Sequence, residues 1–331
     1  MGTMNILAAK QNGKKATVSQ QRNLFVEVEH SDVAEKILAR SKVLHIRRGD
    51  RVYIVGEDAL NFANIFNKTT RRPMSKGILS RDEKSAIPML NLIVERLLGK
   101  PAHKGEVAYF SCPARPSDAS HDVLYHQKTV EAILRRQGYE PRPVNEGMAV
   151  AYAELADTQF TGMGLSFGAG MTNACLAYYG VPVMTCSSAR GGDWIDEQVA
   201  EATGLTKDKV TAAKERGFSL AKPGDDEVHR ALAIYYDSLL DHTVRTLSEA
   251  IRKARVEEGQ TIPVAVTGGT ASPPGFRDLL WRKLEAADLP FQVGEVRHAK
   301  SPLFSVAVGA LVAARAEEQE SLDDIAVPKQ G

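Results

Sequence analysis

The residues best suited to chemistry lie in three short glycine-containing blocks, each next to an apolar run. The first block is residues 166–173, SFGAGMTN, between two apolar runs. A tight turn between two strands directs successive backbone N–H groups into one space, and small residues let an anion approach them. The block therefore predicts an anion-binding turn, although a glycine-rich hairpin with a structural role fits the same residues.

The second block is residues 190–196, RGGDWID, which lead into a helical pattern. The N-terminus of a helix favours anions and hydroxyl groups, because its first backbone N–H groups have no partner within the helix. An N-cap role for Asp193 fits this position equally well.

The third block is residues 264–271, VAVTGGTA. A strand that ends in two glycines before a helix is a position at which α/β folds bind ligands. The sequence contains no GxxxxGK[ST] phosphate loop, and this block does not match the GxGxxG dinucleotide pattern. The three blocks are therefore candidate ligand loops of another type.

Strands that alternate with helices must position these blocks, and the sequence pattern predicts both. Strands are expected at 106–113, within 162–186 and at 261–266, and helices at 118–137 (capped by Ser117), 194–203, 225–254 and 273–286. This alternation predicts an α/β fold, and the hairpin-like runs predict a mixed sheet rather than a purely parallel one.

The longest of these helices carries an apolar residue every three to five positions, which predicts one face in the core. The residues of this face are Val228, Leu232, Tyr235, Leu239, Val244, Leu247 and Ile251.

Composition limits the function classes. The 331 residues suggest about two domains. Hydrophobic residues make up 43% and charged residues 25% of the chain, which is typical of a folded protein, and the net charge of +1 argues against a nucleic-acid partner. Three widely spaced cysteines favour a cytoplasmic protein without a disulfide framework. We expect no membrane contact, and the acidic stretch 316–331 predicts a frayed C-terminal tail.

Seven stretches, in this order, resemble the superfamily of actin, sugar kinase and heat-shock chaperone ATPases, and within it the bacterial actins of the MreB and MamK type. Residues 166–173 are similar to the second phosphate loop of that superfamily, and residues 267–271 (TGGTA) to its adenosine loop. The other five are 72–80 (RPMSKGILS, like RPLKDGVI), 145–151 (NEGMAVA, like EEPMAAA), 191–197 (GGDWIDE, like GGDxFDE), 213–215 (AKE, like the IKxxIG helix end) and 301–310 (SPLFSVAVGA, like PLxAVAxGA).

The resemblance implies a two-lobed actin-like ATPase fold, in which each lobe is a mixed sheet flanked by helices. Lobe I would comprise residues 1–148 and 302–331, and lobe II residues 149–301 with most of the nucleotide loops. ATP or ADP would lie between two β-hairpin loops.

The resemblance also implies the residues that contact the nucleotide. The β- and γ-phosphates would receive N–H groups from Gly168, Ala169, Gly170 and Thr172. The ribose and base would lie near Gly191, Gly192, Asp193, Lys214 and Glu215, and the adenosine and α-phosphate against Gly268, Gly269 and Thr270. Ser166 begins the second phosphate loop, and Thr3 would belong to the first.

Glu146 matches the position that, in the superfamily, orients the attacking water or a magnesium-bound water. A carboxylate there can accept a proton or a hydrogen bond from water, as in-line attack on a γ-phosphate requires. A helix-start carboxylate that interacts with the helix dipole fits Glu146 as well.

The sequence departs from the superfamily pattern at two acidic positions. Ser166 stands where the superfamily has an aspartate. Residues 2–7 resemble only the tail of the first "DLGTxNT" loop, followed by a second strand and the Asn12-Gly13 turn. The first strand and its aspartate are absent, so either the chain begins inside that loop or its recorded start is late. We therefore expect Mg²⁺ to be weakly held, with no side chain as a direct ligand. Adenine-nucleotide binding would persist with slow or absent ATP hydrolysis.

The resemblance favours a bacterial actin-like cytoskeletal protein that binds adenine nucleotide and assembles head to tail into filaments. The alternative is a nucleotide-gated assembly or scaffold factor that does not polymerise and grips a cargo or scaffold protein. A small-molecule kinase is a third possibility, but it needs a general base near an acceptor pocket, and no residue beyond Glu146 suggests one.

Overall fold

The computed structural model describes residues 1–12, 15–80, 82–120, 122–256 and 259–325, and the chain divides into two compact units. The first unit comprises Met1–Ala108 and Leu124–Pro141, and the second comprises Tyr109–Val123 and Arg142–Gly331. The lobe boundaries implied by the resemblance stay a prediction. The expected turn at Asn12-Gly13 lies partly outside the described residues.

The first unit contains small antiparallel sheets and helices. Its elements are β1 (Asn5–Asn12), β2 (Lys15–Arg22), β3 (Phe25–Glu29), α1 (Asp32–Arg40), β4 (His45–Arg48), β5 (Arg51–Val55), α2 (Glu57–Ile65), β6 (Met74–Ser75), β7 (Ile78–Leu79) and α3 (Ala86–Leu98). β1 pairs with β2, β6 pairs with β7, and β3, β5 and β4 form a three-stranded sheet in that order. Val26, Ile54 and Leu38 form part of a buried cluster that joins this sheet to α1 and α2.

The division between the units passes through three elements. These are β8 (Val107–Cys112), α4 (Val123–Arg136) and β9 (Glu140–Asn145), and β8 pairs with β9. The helix expected from residue 118 begins only at Val123. The Asp118 carboxylate instead accepts hydrogen bonds from the Ala189 N–H (2.8 Å) and the Ser188 hydroxyl (2.8 Å), and the Ser117 N–H donates to the Ser187 carbonyl. Ser117 is therefore not the N-cap of α4.

The second unit is built on one five-stranded mixed sheet. Its elements are α5 (Glu146–Glu154), β10 (Gly162–Phe167), β11 (Thr172–Tyr178), β12 (Val181–Ser188), α6 (Gly192–Thr203), α7 (Lys207–Glu215), α8 (Glu227–Ala254), β13 (Thr261–Thr267), α9 (Phe276–Glu285), β14 (Gln292–His298) and α10 (Ser305–Ile325). The strand order is β12-β11-β10-β13-β14. β10, β13 and β14 are parallel neighbours, whereas β11 is antiparallel to both β10 and β12. The predicted α/β fold with a mixed sheet is confirmed here.

The two faces of this sheet differ because side chains alternate along each strand. One face carries large apolar side chains such as Leu165, Phe167 and Leu176, which belong to the main core together with residues of α6, α8 and α9. The Phe167 and Phe276 rings lie 4.9 Å apart in an edge-to-face arrangement. The other face carries small residues such as Cys175 and Ala265, which pack in a separate cluster with α5.

The long helix α8 confirms the periodic pattern at most positions. Leu232, Leu239, Val244, Leu247 and Ile251 are buried, as expected. Tyr236 is fully buried in place of the predicted Tyr235, which is only partly buried and packs edge-to-face on Trp194. The buried face of α8 therefore includes position 236 rather than the predicted position 235. No described helix has the length and apolarity needed to cross a bilayer.

His126 is a buried titratable group in the first unit. Its side chain lies on α4 with 1% of its surface exposed, and its Nδ1 accepts a hydrogen bond from the Leu79 N–H (3.3 Å). Its Nε2 has no hydrogen-bond partner among the described residues. Burial lowers the pKa of His126 from 6.5 to about 4, because an imidazolium there would lose its hydration.

We expect the first unit to lose stability as the pH falls from about 6.5 to about 4. In that window the unfolded chain binds a proton that the folded His126 excludes, so the free energy of unfolding rises with pH by roughly 3 kcal/mol in total. Replacing His126 with Gln keeps a hydrogen-bond acceptor and removes the titration. Urea unfolding between pH 4.5 and 7 should therefore give a flatter pH dependence for this variant. The control is His103→Gln at an exposed position, and an equal flattening in both variants would contradict the assignment.

Candidate functional site

The three glycine blocks meet in the second unit at the end of β10. The Gly168 carbonyl oxygen accepts hydrogen bonds from the Gly192 N–H (3.0 Å) and the Thr270 hydroxyl (2.9 Å). The Asp193 N–H donates to the neighbouring Ala169 carbonyl (2.8 Å). Three separate segments therefore form one assembly, which we call the loop cluster: residues 168–171, 190–193 and 268–270.

The β10–β11 turn retains backbone donors for a ligand. The Gly168 N–H already donates to the Met171 carbonyl (2.9 Å), and the Thr172 hydroxyl donates to the Arg190 carbonyl (2.9 Å). The N–H groups of Ala169 and Gly170 have no hydrogen-bond partner among the described residues. Of the expected phosphate donors in this turn, Ala169 and Gly170 are therefore the two with an unpartnered amide.

The second block begins helix α6, but not through Asp193. Gly191 is the N-cap, and its carbonyl accepts the first helical hydrogen bond from the Ile195 N–H (3.3 Å). The Asp193 side chain lies within the first turn, 3.8 Å from the Lys207 ammonium. The N-cap interpretation of Asp193 is therefore wrong, because the two glycines before it make the turn into the helix.

Lys214 is held by a buried ion pair. Its Nζ lies 2.6 Å from the Asp196 Oδ1 and donates to the Gly192 carbonyl (3.1 Å). Asp196 is 1% exposed, and its other oxygen accepts a hydrogen bond from the Thr211 hydroxyl (2.7 Å). Lys214 is therefore fixed against the loop cluster, whereas Glu215, the last residue of α7, is exposed to solvent.

The third block is anchored by the segment that precedes α10. The Gly268 N–H and the Thr267 hydroxyl both donate to the Pro302 carbonyl, at 3.1 and 2.5 Å. Gly269 and Thr270 then form a short 3-10 turn, in which the Thr270 side chain reaches Gly168.

Glu146 begins helix α5 and lies next to the small-residue face of the sheet. Its Oε2 accepts hydrogen bonds from the Asn173 side-chain amide (2.7 Å) and the Ser166 hydroxyl (3.4 Å). Burial raises the pKa of the Glu146 carboxyl, and the two donors act in the opposite direction because they favour the charged form. Both the helix-start and the water-orienting interpretations of Glu146 fit this position.

Two glycines allow Glu146 to approach the sheet. A Cβ on Gly147 would lie 2.4 Å from the Cys175 nitrogen, and a Cβ on Gly164 would lie 2.1 Å from the Gly147 carbonyl oxygen. The Asn145 side chain caps the helix by accepting from the Gly147 N–H (2.9 Å). The start of α5 is therefore pressed directly onto β10 and β11.

Sequence reasoning did not assign a role to Asn173 or Ser187. Ser166, Asn173 and Ser187 lie directly opposite one another on β10, β11 and β12, and each is at least 96% buried. Polar side chains at these inward positions of apolar strands are the signal that could have identified them.

Thr3 lies in the first unit rather than the second. It is 4% exposed, and its hydroxyl oxygen accepts a hydrogen bond from the Gly77 N–H (2.9 Å). Two stretches that resemble the actin superfamily, residues 2–7 and 72–80, are therefore in contact within that unit.

Comparison with solved structures defines the class of protein. The chain is similar to MamK in its double helical filament (TM-score 0.64, 19% identity, covering 95% of this chain and 96% of MamK). It is also similar to MreB5 of Spiroplasma citri, solved with ADP and with AMPPNP (for the ADP structure, TM-score 0.64, 14% identity, 97% and 96% coverage). A third similar structure is the ethanolamine utilization protein EutJ from Carboxydothermus hydrogenoformans (TM-score 0.53, 18% identity, 94% and 87% coverage). The chain therefore has the actin-like fold that the resemblance in the sequence implies.

A family model also matches the chain. The volactin family model matches residues 1–314, so the chain belongs to the volactin family. No curated protein matches the chain.

We expect Gly191→Ala to destabilise the loop cluster. The added Cβ would lie 2.6 Å from both the Gly168 and the Ala169 carbonyl oxygens, which cannot retreat without breaking the hydrogen bonds that join the three blocks. The expected cost is about 1–3 kcal/mol of the free energy of unfolding, measured by chemical denaturation. The matched control is Gly269→Ala, whose nearest contact would be a Leu303 methyl at 3.9 Å. It should be neutral or stabilising by about 0.5 kcal/mol, and similar losses in both variants would contradict the packing argument.

Proposed function

We propose that this volactin-family protein binds adenine nucleotide at the loop cluster, hydrolyses ATP slowly, and assembles with copies of itself into filaments. The observation that carries the proposal is the meeting of the three glycine blocks at the Gly168 carbonyl, where the Ala169 and Gly170 N–H groups have no hydrogen-bond partner in the part of the chain that the structure describes. Adjacent unpartnered amides in a turn of small residues are suited to a phosphate group.

The proposed roles of the individual residues follow from this arrangement. Ala169 and Gly170 donate to the terminal phosphates, and Gly268, Gly269 and Thr270 lie along the adenosine and α-phosphate. Lys214, held in place by Asp196, and the glycines at the start of α6 lie near the ribose and base. Glu215, at the exposed end of α7, is the last residue that we assign to the ribose and base. Support comes from the ADP-bound and AMPPNP-bound structures of MreB5, to which the fold is similar.

The site is a weak fit for Mg²⁺. Asp193 and Asp196 at the loop cluster lie near lysine ammonium groups, and Ser166 contributes a hydroxyl in place of a carboxylate. Magnesium is usually held through carboxylates and water, so Glu146 would hold it through a water molecule. A bound magnesium ion would neutralise charge on the β- and γ-phosphates. Because Glu146 is the one carboxylate to which we assign this task, we propose weak metal binding and slow hydrolysis.

Self-assembly is proposed from the similarity to MamK, which was solved as a double helical filament. Head-to-tail contacts between identical chains use two different surfaces and therefore generate an open polymer rather than a closed ring when the rotation does not close. A cargo or scaffold protein that binds such a polymer belongs to the same proposal.

We expect ADP and AMPPNP to raise the melting temperature of the purified protein. A ligand that binds only the folded state stabilises it by about 2.7 kcal/mol at a concentration one hundred times its Kd. Adenosine should have a much smaller effect, because it lacks the phosphates that the Ala169 and Gly170 amides would bind. GDP tests base preference. Equal shifts with adenosine and ADP would contradict a phosphate-binding turn, and no shift with any nucleotide would overturn the proposed function.

Polymerisation is tested separately by sedimentation and electron microscopy with ADP, with AMPPNP and without nucleotide. We expect a pelletable filament with AMPPNP and less polymer with ADP, because nucleotide state would tune the contact between copies. Nucleotide binding without polymer at any concentration would instead favour a non-polymerising assembly factor, for which the similarity to EutJ is the supporting observation.

A further inference from the structure

We propose that Asn173 and Ser187 are positioning residues, which fix the Glu146 carboxylate so that its Oε1 atom accepts the proton of the attacking water. This inference rests on the proposed function, because it assigns parts to the reaction at the same site. The observation behind it is a chain of hydrogen bonds across the sheet, from Ser187 through Asn173 to Glu146.

The first link in this chain sets the orientation of the Asn173 amide. The Ser187 hydroxyl donates to the Asn173 Oδ1 over 2.6 Å. With its oxygen occupied in this way, the amide directs its Nδ2 toward Glu146, where it donates to Oε2 over 2.7 Å. The reverse orientation would place an amide oxygen 2.7 Å from a carboxylate oxygen, and two acceptors at that distance repel each other unless a proton lies between them.

The backbone makes this orientation rigid. Asn173 on β11 and Ser187 on β12 are directly paired in the strand register, and so are Asn173 and Ser166 on β10. Asn173 and Ser187 are each 2% exposed, so water does not compete for their hydrogen bonds. The three side chains therefore form a fixed polar row beneath the start of α5.

The two donors select one oxygen of Glu146. Both the Asn173 amide and the Ser166 hydroxyl donate to Oε2, whereas Oε1 has no hydrogen-bond partner among the described residues. A carboxylate whose one oxygen is saturated with donors keeps the other for a new proton donor. Oε1 is thus the oxygen that a water molecule at the β10–β11 turn would meet.

The resulting step balances without any further reactant. The water oxygen forms a bond to the γ-phosphorus of ATP, and the bond from that phosphorus to the bridging β–γ oxygen breaks. The bonding electron pair stays on the bridging oxygen, which remains with ADP. The water proton passes to Oε1 of Glu146, and inorganic phosphate leaves. Asn173 and Ser187 are buried and hydrogen-bonded in a row that ends at Glu146, so in this proposal they act through Glu146.

The experiment compares ATP turnover in Asn173→Ala, Ser187→Ala and Ser187→Thr with the wild type. We expect Asn173→Ala to lower kcat about tenfold or more with KM changed by less than about threefold, because the Glu146 general base is no longer held in position but the nucleotide contacts remain. Ser187→Ala should lower kcat less, and Ser187→Thr should restore it, because threonine keeps the hydroxyl. The control is Ser248→Ala, which removes a hydroxyl bonded only within its own helix α8.

The pH profile separates positioning from simple structural damage. Glu146 must be ionised to accept a proton, and the Asn173 amide favours the ionised form. Its removal should therefore move the acidic limb of kcat to higher pH, whereas Ser248→Ala leaves that limb in place. If Asn173→Ala does not fold, as judged by melting, Ser187→Ala tests the same role. It should shift the acidic limb of kcat in the same direction by a smaller amount.

The outcomes distinguish the two proposals. If nucleotide fails to stabilise the wild type, the proposed function is wrong. If nucleotide binds and Asn173→Ala turns over within twofold of the wild type with an unmoved acidic limb, the positioning roles are overturned while the function stands. If the wild type binds nucleotide but releases no phosphate over a day, the assignment of Oε1 as the water acceptor is overturned.

Discussion

The carbonyl oxygen of Gly168 is the acceptor on which the candidate site depends. It receives the Gly192 N–H from one segment and the Thr270 hydroxyl from another, so three loops that are distant in sequence share one position. Buried carbonyl groups need hydrogen-bond partners, and here the partners come from the loops themselves. The same arrangement uses the first amides of α6 internally and leaves the Ala169 and Gly170 amides for a ligand. The structure and a ligand thus compete for backbone donors, and the turn keeps the Ala169 and Gly170 amides available.

The sheet of the second unit supports this arrangement with two different faces. Large side chains such as Phe167 and Leu176 fill the main core on one face. On the other face, glycine at 164 lets α5 approach to within backbone contact. The close approach brings Glu146 onto a row of buried polar side chains, which would be costly to bury without partners. The small residues therefore allow α5 to pack closely on the sheet. The polar row then supplies hydrogen bonds to the Glu146 carboxylate at the start of that helix.

Membership of the volactin family and an actin-like fold do not by themselves determine activity, because function resides in the site rather than in the fold. The site has backbone donors for phosphate but few carboxylates in reserve, since Asp193 and Asp196 lie near lysine ammonium groups. Neutral side chains, Ser166 and Asn173, surround the one carboxylate proposed to act on water. These features are the basis of the proposal that the site binds a nucleotide and hydrolyses it slowly.

The sequence by itself determined the α/β fold, the alternation of strands and helices in the second unit, and the resemblance to actin-like proteins. Apolar runs and glycine pairs mark the ends of strands through local chemistry. The order of seven short stretches is the basis of the resemblance to actin-like proteins. Only the tertiary structure decided which donors and partners are used. It placed Asp118 on Ser188 and thereby delayed the start of α4, and it chose Tyr236 over Tyr235 for the core. It also joined Ser187 to Asn173 and Glu146. These are contacts between residues many positions apart, and a hydrogen bond's partner depends on the strand register and on helix packing, which local sequence pattern does not encode.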